Sequence, residues 1–325
     1  MTAARALRRA GSLAGGYVLL AFLWCFHWLP LSWQAAFGQG LGGLLWRLAA
    51  SRRRITLRNL ALCFPELTQE ARERLGREVF GWYCRSVLER GLLWFAPVAR
   101  LRRLIRVEGD PGFADRHPGP VMWLVPHFMG LDVAGVATQL HIRRGLASIY
   151  QAQTNPVIDA AMRRARLRHG NTEIFARGEG ARPLLRAVRQ GNTELFSRAD
   201  GALPLVRSVR RGFGFFNLPD MDFGPRDAEF VPFFGVPAAT LVAPSRLARS
   251  LGMTVQPVQV RLLPGGQGYV VRYLPPLADF PTDDPLADTR RVNAWIEAQV
   301  RECPAQYFWV HKRFKTRPPG EPGLY

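Results

Sequence analysis

The stretch Val121-Met-Trp-Leu-Val-Pro-His127-Phe-Met-Gly-Leu-Asp132 places a histidine directly after a short apolar run and an aspartate five residues later. A proline bounds the apolar run on each side, a pattern typical of a buried strand. A turn over 128–130 that leads into a helix would bring the carboxylate to the imidazole. Such a carboxylate fixes the tautomer of the ring and strengthens its other nitrogen as a base, which suits deprotonation of a hydroxyl. On this spacing alone, a histidine that only caps the end of a strand remains the alternative.

Helical and strand patterns alternate on both sides of this stretch. Thr68 to Leu93 has apolar residues at helical spacing behind an N-cap threonine, and Asn155 to Arg168 has Pro156 in its first turn. Further short apolar runs predict strands, and the last segment before the C-terminal tail predicts a helix: the strands are 214–218, 255–263 and 269–274, and the helix is 289–301. Strands that alternate with helices predict an α/β sandwich with a mixed sheet.

The first 50 residues have the pattern of a membrane anchor. An uncharged apolar stretch from Leu13 to Trp33 follows three arginines, and about 20 residues are enough for a helix to span a bilayer. Aromatic residues near the end of the stretch suit the membrane interface. A cleaved signal peptide is disfavoured because no small-residue cleavage site follows. Pro30 leaves a third possibility, a shorter helix that enters the membrane without crossing it.

A second apolar run, from Gly38 to Ala50, is too short to span a bilayer and ends in Arg52, Arg53 and Arg54. This composition allows it to lie at the membrane interface. More basic residues follow the first apolar stretch than precede it, which favours a cytosolic location for the rest of the chain. We therefore predict a membrane anchor over 1–50 and a cytosolic domain over 51–325.

The charge of the chain indicates anionic partners. The 325 residues contain 44 Lys plus Arg and 25 Asp plus Glu, a formal net charge of +19. Most of the basic residues are arginines, whose planar guanidinium suits phosphate and carboxylate groups. An anionic membrane surface and an acidic protein fit this charge. Nucleic acid is disfavoured because no helix-turn-helix, RNP or zinc-finger pattern is present.

The four cysteines predict neither a disulfide framework nor a metal site. Cys25, Cys63, Cys84 and Cys303 form no CxxC pair and no cluster with histidines at zinc-ligand spacing. We expect reduced thiols, no metal and no cofactor.

A tandem repeat lies in the middle of the chain. Asn171 to Gly191 (NTEIFARGEGARPLLRAVRQG) is followed at once by Asn192 to Gly212 (NTELFSRADGALPLVRSVRRG), with a period of 21 residues. A solenoid needs about three repeats. We therefore interpret 171–212 as the local duplication of one loop-helix unit within a globular domain.

Five motifs occur in a fixed order along the chain. They are NLALCFPE (59–66), the HxxxxD of His127 and Asp132, PDMDFGP (219–225), FVPFFG (230–235) and QYFWVHKRFKTRP (306–318). In this combination the chain resembles the late acyltransferases of lipid A biosynthesis, of the lauroyl and myristoyl types, within the wider HxxxxD glycerolipid acyltransferase group. The resemblance runs from about Arg52 to Tyr325.

The resemblance implies a reaction and a pair of catalytic residues. His127 would be the general base and Asp132 its orienting partner, at the mouth of an acyl tunnel in an α/β sandwich. The donor would be an acyl thioester on acyl carrier protein, and the acceptor a hydroxyl of a 3-hydroxyacyl chain on a phosphorylated lipid A precursor. Because a thioester is already activated, direct attack by the deprotonated hydroxyl suffices, without a covalent enzyme intermediate.

The resemblance also implies substrate-binding positions. Asp220 and Asp222 match the acidic site of the family and would order Arg226 or an acceptor group, although Asp is also an ordinary turn residue. Arg198 aligns with a basic position of the family, and Arg177 takes the same place in the other repeat copy. Arg313 and Lys315 belong to a basic C-terminal segment, which would contact phosphates, the carrier protein or anionic lipids unless it is only a solvated surface.

The chain departs from the family pattern at two places. Relatives usually have Tyr-Arg where this chain has Tyr150-Gln151, and the duplication precedes the strand that leads to PDMDFGP. These departures keep two alternatives open: the same chemistry on another glycolipid or a lysophospholipid, or a catalytically impaired membrane-bound relative. The FPEGTRS-like block typical of lysophospholipid enzymes does not follow the HxxxxD, which favours the lipid A type.

Overall fold

The computed structural model describes residues 3–176, 203–226 and 228–325. Its centre is a seven-stranded sheet in the order β1-β9-β8-β2-β5-β3-β4, beside a separate β6-β7 hairpin. All neighbouring strands of the large sheet are parallel except β8 and β9. The strands are β1 Ile105–Gly109, β2 Val121–Leu124, β3 Leu146–Tyr150, β4 Thr172–Ala176, β5 Gly214–Asn217, β6 Ala228–Phe233, β7 Val236–Leu241, β8 Thr254–Leu262 and β9 Tyr269–Tyr273. The predicted α/β fold with a mixed sheet is confirmed.

Helices precede the sheet and connect its strands. They are α1 Ala3–Phe26, α2 Leu31–Leu48, α3 Ala50–Cys63, α4 Gln69–Leu88, α5 Arg90–Phe95, α6 Val98–Leu104, α7 Phe113–Arg116, α8 Leu131–His141, α9 Pro156–Arg166, α10 Leu203–Arg210, α11 Ala243–Ser250 and α12 Pro285–Glu302. Short 3-10 turns cover Pro264–Gly266 and Pro304–Gln306.

The strands β2 and β5 lie side by side at the centre of the sheet. Every residue of both strands is buried, as expected for a parallel sheet that is covered on both faces. Gly214 opens β5 against the ring of Trp123, where a Cβ atom would approach within 2.4 Å. Because the pairing is parallel, with Leu124 opposite Asn217, the two strands end at the same edge of the sheet. Parallel sheets usually place their functional sites at this edge.

The helix starts follow the capping signals in the sequence. The Thr68 side chain accepts a hydrogen bond from the Ala71 amide at the start of α4, and the Asn155 side chain caps α9. The helix predicted over 68–93 is divided, because α4 ends at Leu88 and α5 begins at Arg90. The C-terminal helix begins before the predicted 289, because Asp284 caps it and Pro285 occupies its first turn.

The predicted membrane-spanning helix over 13–33 is wrong. Helix α1 ends at Phe26, and α2 begins at Leu31, directly after Pro30. Proline has no backbone N–H and a fixed φ, so it interrupts a continuous helix and starts a new one. Across the described residues, none of the helices combines the length and the apolar character that a bilayer crossing requires.

Glycines allow α2 to pack closely against α4. A Cβ atom at Gly42 would lie 2.5 Å from the Gly81 backbone, and one at Gly38 would lie 2.6 Å from Arg85 Cγ. On the outer side of α1, α2 and the turn between them, large apolar side chains remain exposed: Tyr17, Val18, Leu19, Phe22, Trp24, Trp28, Trp33, Phe37, Leu44 and Leu48. The N-terminal helices therefore pack on the body and present an apolar surface to the outside.

The two copies of the repeat contribute different elements. The first copy supplies β4, which pairs with β3 at the edge of the sheet. The second copy supplies α10, which leads into β5. The segment 177–202 between them lies outside the described residues, so the interpretation of 171–212 as a single duplicated unit stays a prediction.

Candidate active site

Two loops at the edge of the sheet bring His127 and Asp220 together. His127 follows β2, and Asp220 follows β5, the parallel neighbour of β2. Asp220 Oδ1 lies 2.7 Å from His127 Nδ1, and its Oδ2 accepts the His127 backbone N–H at 2.9 Å. The Asp220 side chain is completely buried, whereas the His127 side chain is 20 % exposed. The carboxylate therefore fixes both the backbone and the ring of the histidine.

The interaction with His127 keeps the Asp220 carboxyl group ionised. Burial raises the pKa of the Asp220 carboxyl, but the interaction with His127 and its hydrogen bonds outweighs burial and holds this pKa at about 2. Asp220 is therefore ionised at neutral pH and accepts the Nδ1–H of His127. The second ring nitrogen, Nε2, then carries the lone pair of the neutral imidazole and is the basic atom of the site.

The C-terminal segment supports the histidine loop from the other side. The His127 carbonyl accepts the Phe308 N–H at 3.1 Å, and the Met129 N–H donates to the Gln306 carbonyl at 2.8 Å. Between these bonds, Phe128 and Tyr307 form an antiparallel bridge. The buried Tyr307 hydroxyl has its pKa raised by burial and by the nearby Asp220 carboxylate, so it stays protonated.

Gly130 lets the loop pass over β8. A Cβ atom at this position would lie 2.5 Å from Val260 Cγ2 and 2.9 Å from Leu262 Cδ1. The loop then enters α8, which begins at Leu131. A side chain at position 130 would force the loop or these two side chains to shift, so Gly130 allows the loop that carries His127 to pass closely over the sheet.

Asp132 does not take the position expected from the HxxxxD spacing, and its predicted contact with His127 is wrong. Its Oδ2 accepts from Arg90 Nε at 3.1 Å, and its Oδ1 accepts from Arg166 Nη2 at 2.7 Å. Burial raises the pKa of Asp132, but the two guanidinium groups lower it to about 2. The carboxylate faces α5 and α9, while Asp220 occupies the Nδ1 side of the ring. The orienting partner is thus the aspartate at the end of the neighbouring strand.

Asp222 has a different neighbourhood from Asp220. Its carboxylate accepts the Thr316 N–H at 2.7 Å, the Thr316 hydroxyl at 2.8 Å and the Gly224 N–H at 2.9 Å. It therefore closes its own turn and ties it to the C-terminal tail. The two aspartates were expected to order Arg226 or an acceptor group. In the structure both carboxylates bind protein groups, and Arg226 is exposed.

The basic C-terminal segment divides into buried and exposed residues. Arg313 is completely buried and donates to the Ala239 carbonyl and the Thr240 hydroxyl on β7. The predicted contact of Arg313 with phosphate is therefore wrong, because the guanidinium has no access to a ligand. Lys315 is exposed and stays a candidate. Arg177 and Arg198 lie outside the described residues, so their predicted roles remain predictions.

An apolar pocket lies beneath the same strand ends. Its lining includes Leu124, which closes β2, and Pro219, which directly precedes Asp220, together with Val255, Phe280 and Val292. Its free volume is about 20 Å³, close to that of one water molecule. The pocket as it stands is too small for a fatty acyl chain, so the predicted acyl tunnel is not formed by it.

Sequence reasoning missed the role of Asp220 as the partner of the ring, and it missed Arg90 and Arg166 altogether. The signal for Asp220 was a second short apolar strand that ends just before an aspartate, as β2 ends just before His127. The signal for the arginines is absent from the local sequence, because they come from α5 and α9 and meet Asp132 only after folding.

Comparison with known proteins identifies the family. The family model described as bacterial lipid A biosynthesis acyltransferase matches residues 2–197 and 192–316, and the two matches overlap at the start of the second repeat copy. The lipid A biosynthesis lauroyltransferase of Escherichia coli K12 is 31 % identical over 309 residues, which are 94 % of this chain and 93 % of the relative. The palmitoleoyltransferase of the same organism is 29 % identical over 94 % of this chain and 92 % of its own length, and its myristoyltransferase is 31 % identical over 86 % and 80 %. With matches over most of its length and a histidine-centred site at the strand ends, the chain belongs to the bacterial lipid A biosynthesis acyltransferase family.

Proposed function

We propose that this protein transfers a fatty acyl chain from a thioester on acyl carrier protein to a hydroxyl of a 3-hydroxyacyl chain on a lipid A precursor. The observation that carries the proposal is the pairing of His127 Nδ1 with the buried Asp220 carboxylate at 2.7 Å. This pair is a base suited to an alcohol nucleophile. The names of the relatives, which transfer lauroyl, palmitoleoyl and myristoyl groups in lipid A biosynthesis, support the same substrate class.

The geometry suggests how the proton moves. Asp220 holds the Nδ1–H, and Nε2 takes the proton of the acceptor hydroxyl as its oxygen attacks the thioester carbonyl. The resulting tetrahedral intermediate collapses, the C–S bond breaks, and the thiolate of the carrier takes the proton from Nε2. An ester and a free thiol are the products, and the histidine returns to its starting form. Asp220 stabilises the imidazolium that exists between the two proton transfers.

We further propose that the protein works at the cytosolic face of the inner membrane, with α1 and α2 embedded in the bilayer surface. Trp24, Trp28 and Trp33 are each more than half exposed around the turn between these helices. Tryptophan is favoured at the boundary between lipid and water. The arginines that follow, Arg52 to Arg54, suit anionic head groups. This arrangement brings the acceptor lipid to the protein without a helix that crosses the bilayer.

The test is the mass of lipid A from cells with and without this chain, together with transfer by the purified full-length protein from acyl carrier protein to lipid A precursor. We expect a mass increase equal to one acyl chain, and we expect His127→Ala to lose it while the protein remains folded and bound to membranes. His141→Ala, at the exposed end of α8, is the matched control and should retain transfer. Normal turnover by His127→Ala would exclude His127 as the base, and transfer to a lysophospholipid alone would identify a different acceptor.

A further inference from the structure

The Asp132 carboxylate gathers two arginines from two different helices. Arg90 comes from the first residue of α5, and Arg166 from the last residue of α9. One oxygen of the carboxylate accepts from each guanidinium, at 3.1 and 2.7 Å. Since both arginines bind the same carboxylate, their guanidinium groups lie close enough to contact a single small anion together.

Both guanidinium groups keep donors available for a ligand. Arg90 uses its Nε on Asp132, which leaves Nη1 and Nη2; Arg166 uses one Nη, which leaves Nε and the other Nη. Within the described part of the chain these remaining donors have no hydrogen-bond partner. The side chains are 39 % and 30 % exposed, so the donors are accessible. The three charges sum to +1, and guanidinium groups with free N–H donors match the oxygens of a phosphate group.

The cluster lies between the histidine loop and the N-terminal helices. Asp132 is in the first turn of α8, which the His127 loop enters after the turn at 128–130. Helix α1, whose outer side chains are apolar and exposed, packs against both α5 and α9. A phosphate that approaches from a lipid surface along α1 therefore meets Arg90 and Arg166 close to the base.

We propose that Arg90 and Arg166 bind a phosphate group of a substrate, and that Asp132 is a positioning residue that holds the two guanidinium groups for it. The proposal rests on the proposed function, because it assigns the phosphate to a substrate of the same site. Asp132 can hold the two arginines because Asp220, and not Asp132, contacts His127. Two substrates carry such a group: the phosphorylated glycolipid acceptor, and the carrier protein through the phosphodiester of its prosthetic arm.

Kinetics of the purified full-length protein distinguish these sources. Arg90→Gln and Arg166→Gln are compared with wild type on the lipid A precursor, on the same precursor after phosphatase treatment, and over a range of acyl carrier protein concentrations. We expect KM for the phosphorylated acceptor to rise about tenfold or more, since hydrogen bonds between charged groups are among the stronger ones. Turnover of the dephosphorylated acceptor should be the same for the variants and wild type. A rise in KM for the carrier protein instead would assign the phosphate of the prosthetic arm to this site.

Two further variants separate phosphate binding from a structural role. Arg166→Lys keeps the positive charge, so its KM for the phosphorylated acceptor should lie between those of wild type and Arg166→Gln. Asp132→Asn should raise this KM less than Arg90→Gln or Arg166→Gln does. Arg164→Gln is the matched control, because this arginine is exposed on α9 two positions from Arg166 and should leave KM unchanged. Equal losses on phosphorylated and dephosphorylated acceptor without a rise in KM for the carrier protein, or no change in any KM, would overturn the proposal.

A binding measurement keeps the proposal separate from the proposed function. Flotation of the full-length protein with vesicles that contain the phosphorylated precursor, or the phosphatase-treated precursor, needs no acyl transfer. If wild type prefers the phosphorylated vesicles and Arg166→Gln does not, the site stands even if no acyl transfer is detected. If wild type transfers acyl groups but shows no preference between the vesicles and no KM effect, the site fails and the proposed function stands.

Discussion

Asp220 contacts His127 through both the imidazole Nδ1 and the backbone N–H, although the two residues are 93 positions apart in the chain. The contact exists because β2 and β5 are parallel neighbours that end at the same edge of the sheet. A single buried carboxylate thereby fixes the orientation of the ring and the conformation of the loop that carries it.

Replacement of Asp220 by Asn should lower kcat by about 10²- to 10⁴-fold while KM changes little. An amide presents both a donor and an acceptor to Nδ1, so it no longer selects the tautomer that leaves Nε2 basic. The measurement is steady-state transfer by purified protein, with the melting temperature as the check on folding. Activity close to wild type in a folded Asp220→Asn variant would contradict the assignment of Asp220 as the orienting residue.

Replacement of Asp222 by Asn is the matched contrast, only two residues away. Asp222 binds Thr316 and Gly224, so its loss should loosen the C-terminal tail and cost about 1–3 kcal/mol of unfolding free energy. The kcat of the protein that remains folded should stay within about threefold of wild type. Denaturant unfolding and transfer assays test the two halves separately, and a loss of kcat as large as that of Asp220→Asn would show a direct role in the reaction.

Gly130→Ala and Gly135→Ala should shift stability in opposite directions. A Cβ at Gly130 meets Val260 and Leu262 on β8, so the loop must move, and both the melting temperature and the transfer rate should fall. A Cβ at Gly135 in α8 meets nothing within 4 Å. Alanine there removes the entropic cost of a helical glycine and should stabilise the protein by up to about 1 kcal/mol. Thermal unfolding of the two variants checks both signs, and equal shifts would argue against the packing of the loop on β8.

Stability should fall in mild acid because of His311. Burial, opposed by a hydrogen bond to the Phe308 carbonyl, lowers the pKa of His311 to about 4. A histidine that is neutral when folded takes up a proton on unfolding at every pH between its folded pKa and its ordinary value of about 6.5. Its contribution to stability is therefore present above about 6.5 and is lost as the pH falls towards 4, by about 2 kcal/mol between pH 7 and pH 5.

His311→Asn is the variant that tests this pH dependence. It keeps a donor for the Phe308 carbonyl but does not titrate, so the loss of unfolding free energy between pH 7 and pH 5 should shrink. Denaturant unfolding at the two pH values measures the difference. An unchanged loss in the variant would assign the acid sensitivity to other groups.

Deletion of residues 177–197 should leave a folded and active enzyme. The deletion joins the β4 strand of the first repeat copy to Arg198 in the second copy, which leads into α10, and restores one repeat unit. Both described elements, β4 on β3 and α10 before β5, are preserved. Thermal unfolding and transfer assays on the deleted chain are the measurements, and a loss of folding or activity would show that the additional repeat unit has acquired a necessary role.

Features that depend on neighbouring residues in the chain were predictable from the sequence. Thr68 caps the helix that it was expected to cap, Pro156 lies in the first turn of α9 as predicted, and β2 ends shortly before His127. The failures depend on longer distances. The HxxxxD spacing suggested that Asp132 contacts His127, but the order of strands places Asp220 there, and strand order is a property of the whole sheet rather than of a motif.

The failure at the N-terminus has a local cause that was visible. Pro30 marks the interruption in the sequence, whereas the apolar composition on both sides of it favours a single spanning helix. The structure ends α1 at Phe26 and starts α2 at Leu31. The burial of Arg313, in contrast, follows from the docking of the C-terminal segment on β7, which no pattern of charges in the segment reveals.

The backbone hydrogen bonds between the His127 loop and residues 306–308 have a consequence for the order in which the site forms during synthesis of the chain. A ribosome delivers α1 and α2 first and the supporting C-terminal segment last. The N-terminal helices therefore leave the ribosome while the His127 loop still lacks one of its two supports. The loop is held on both sides only after residues 306–308 have been synthesised and have docked on it.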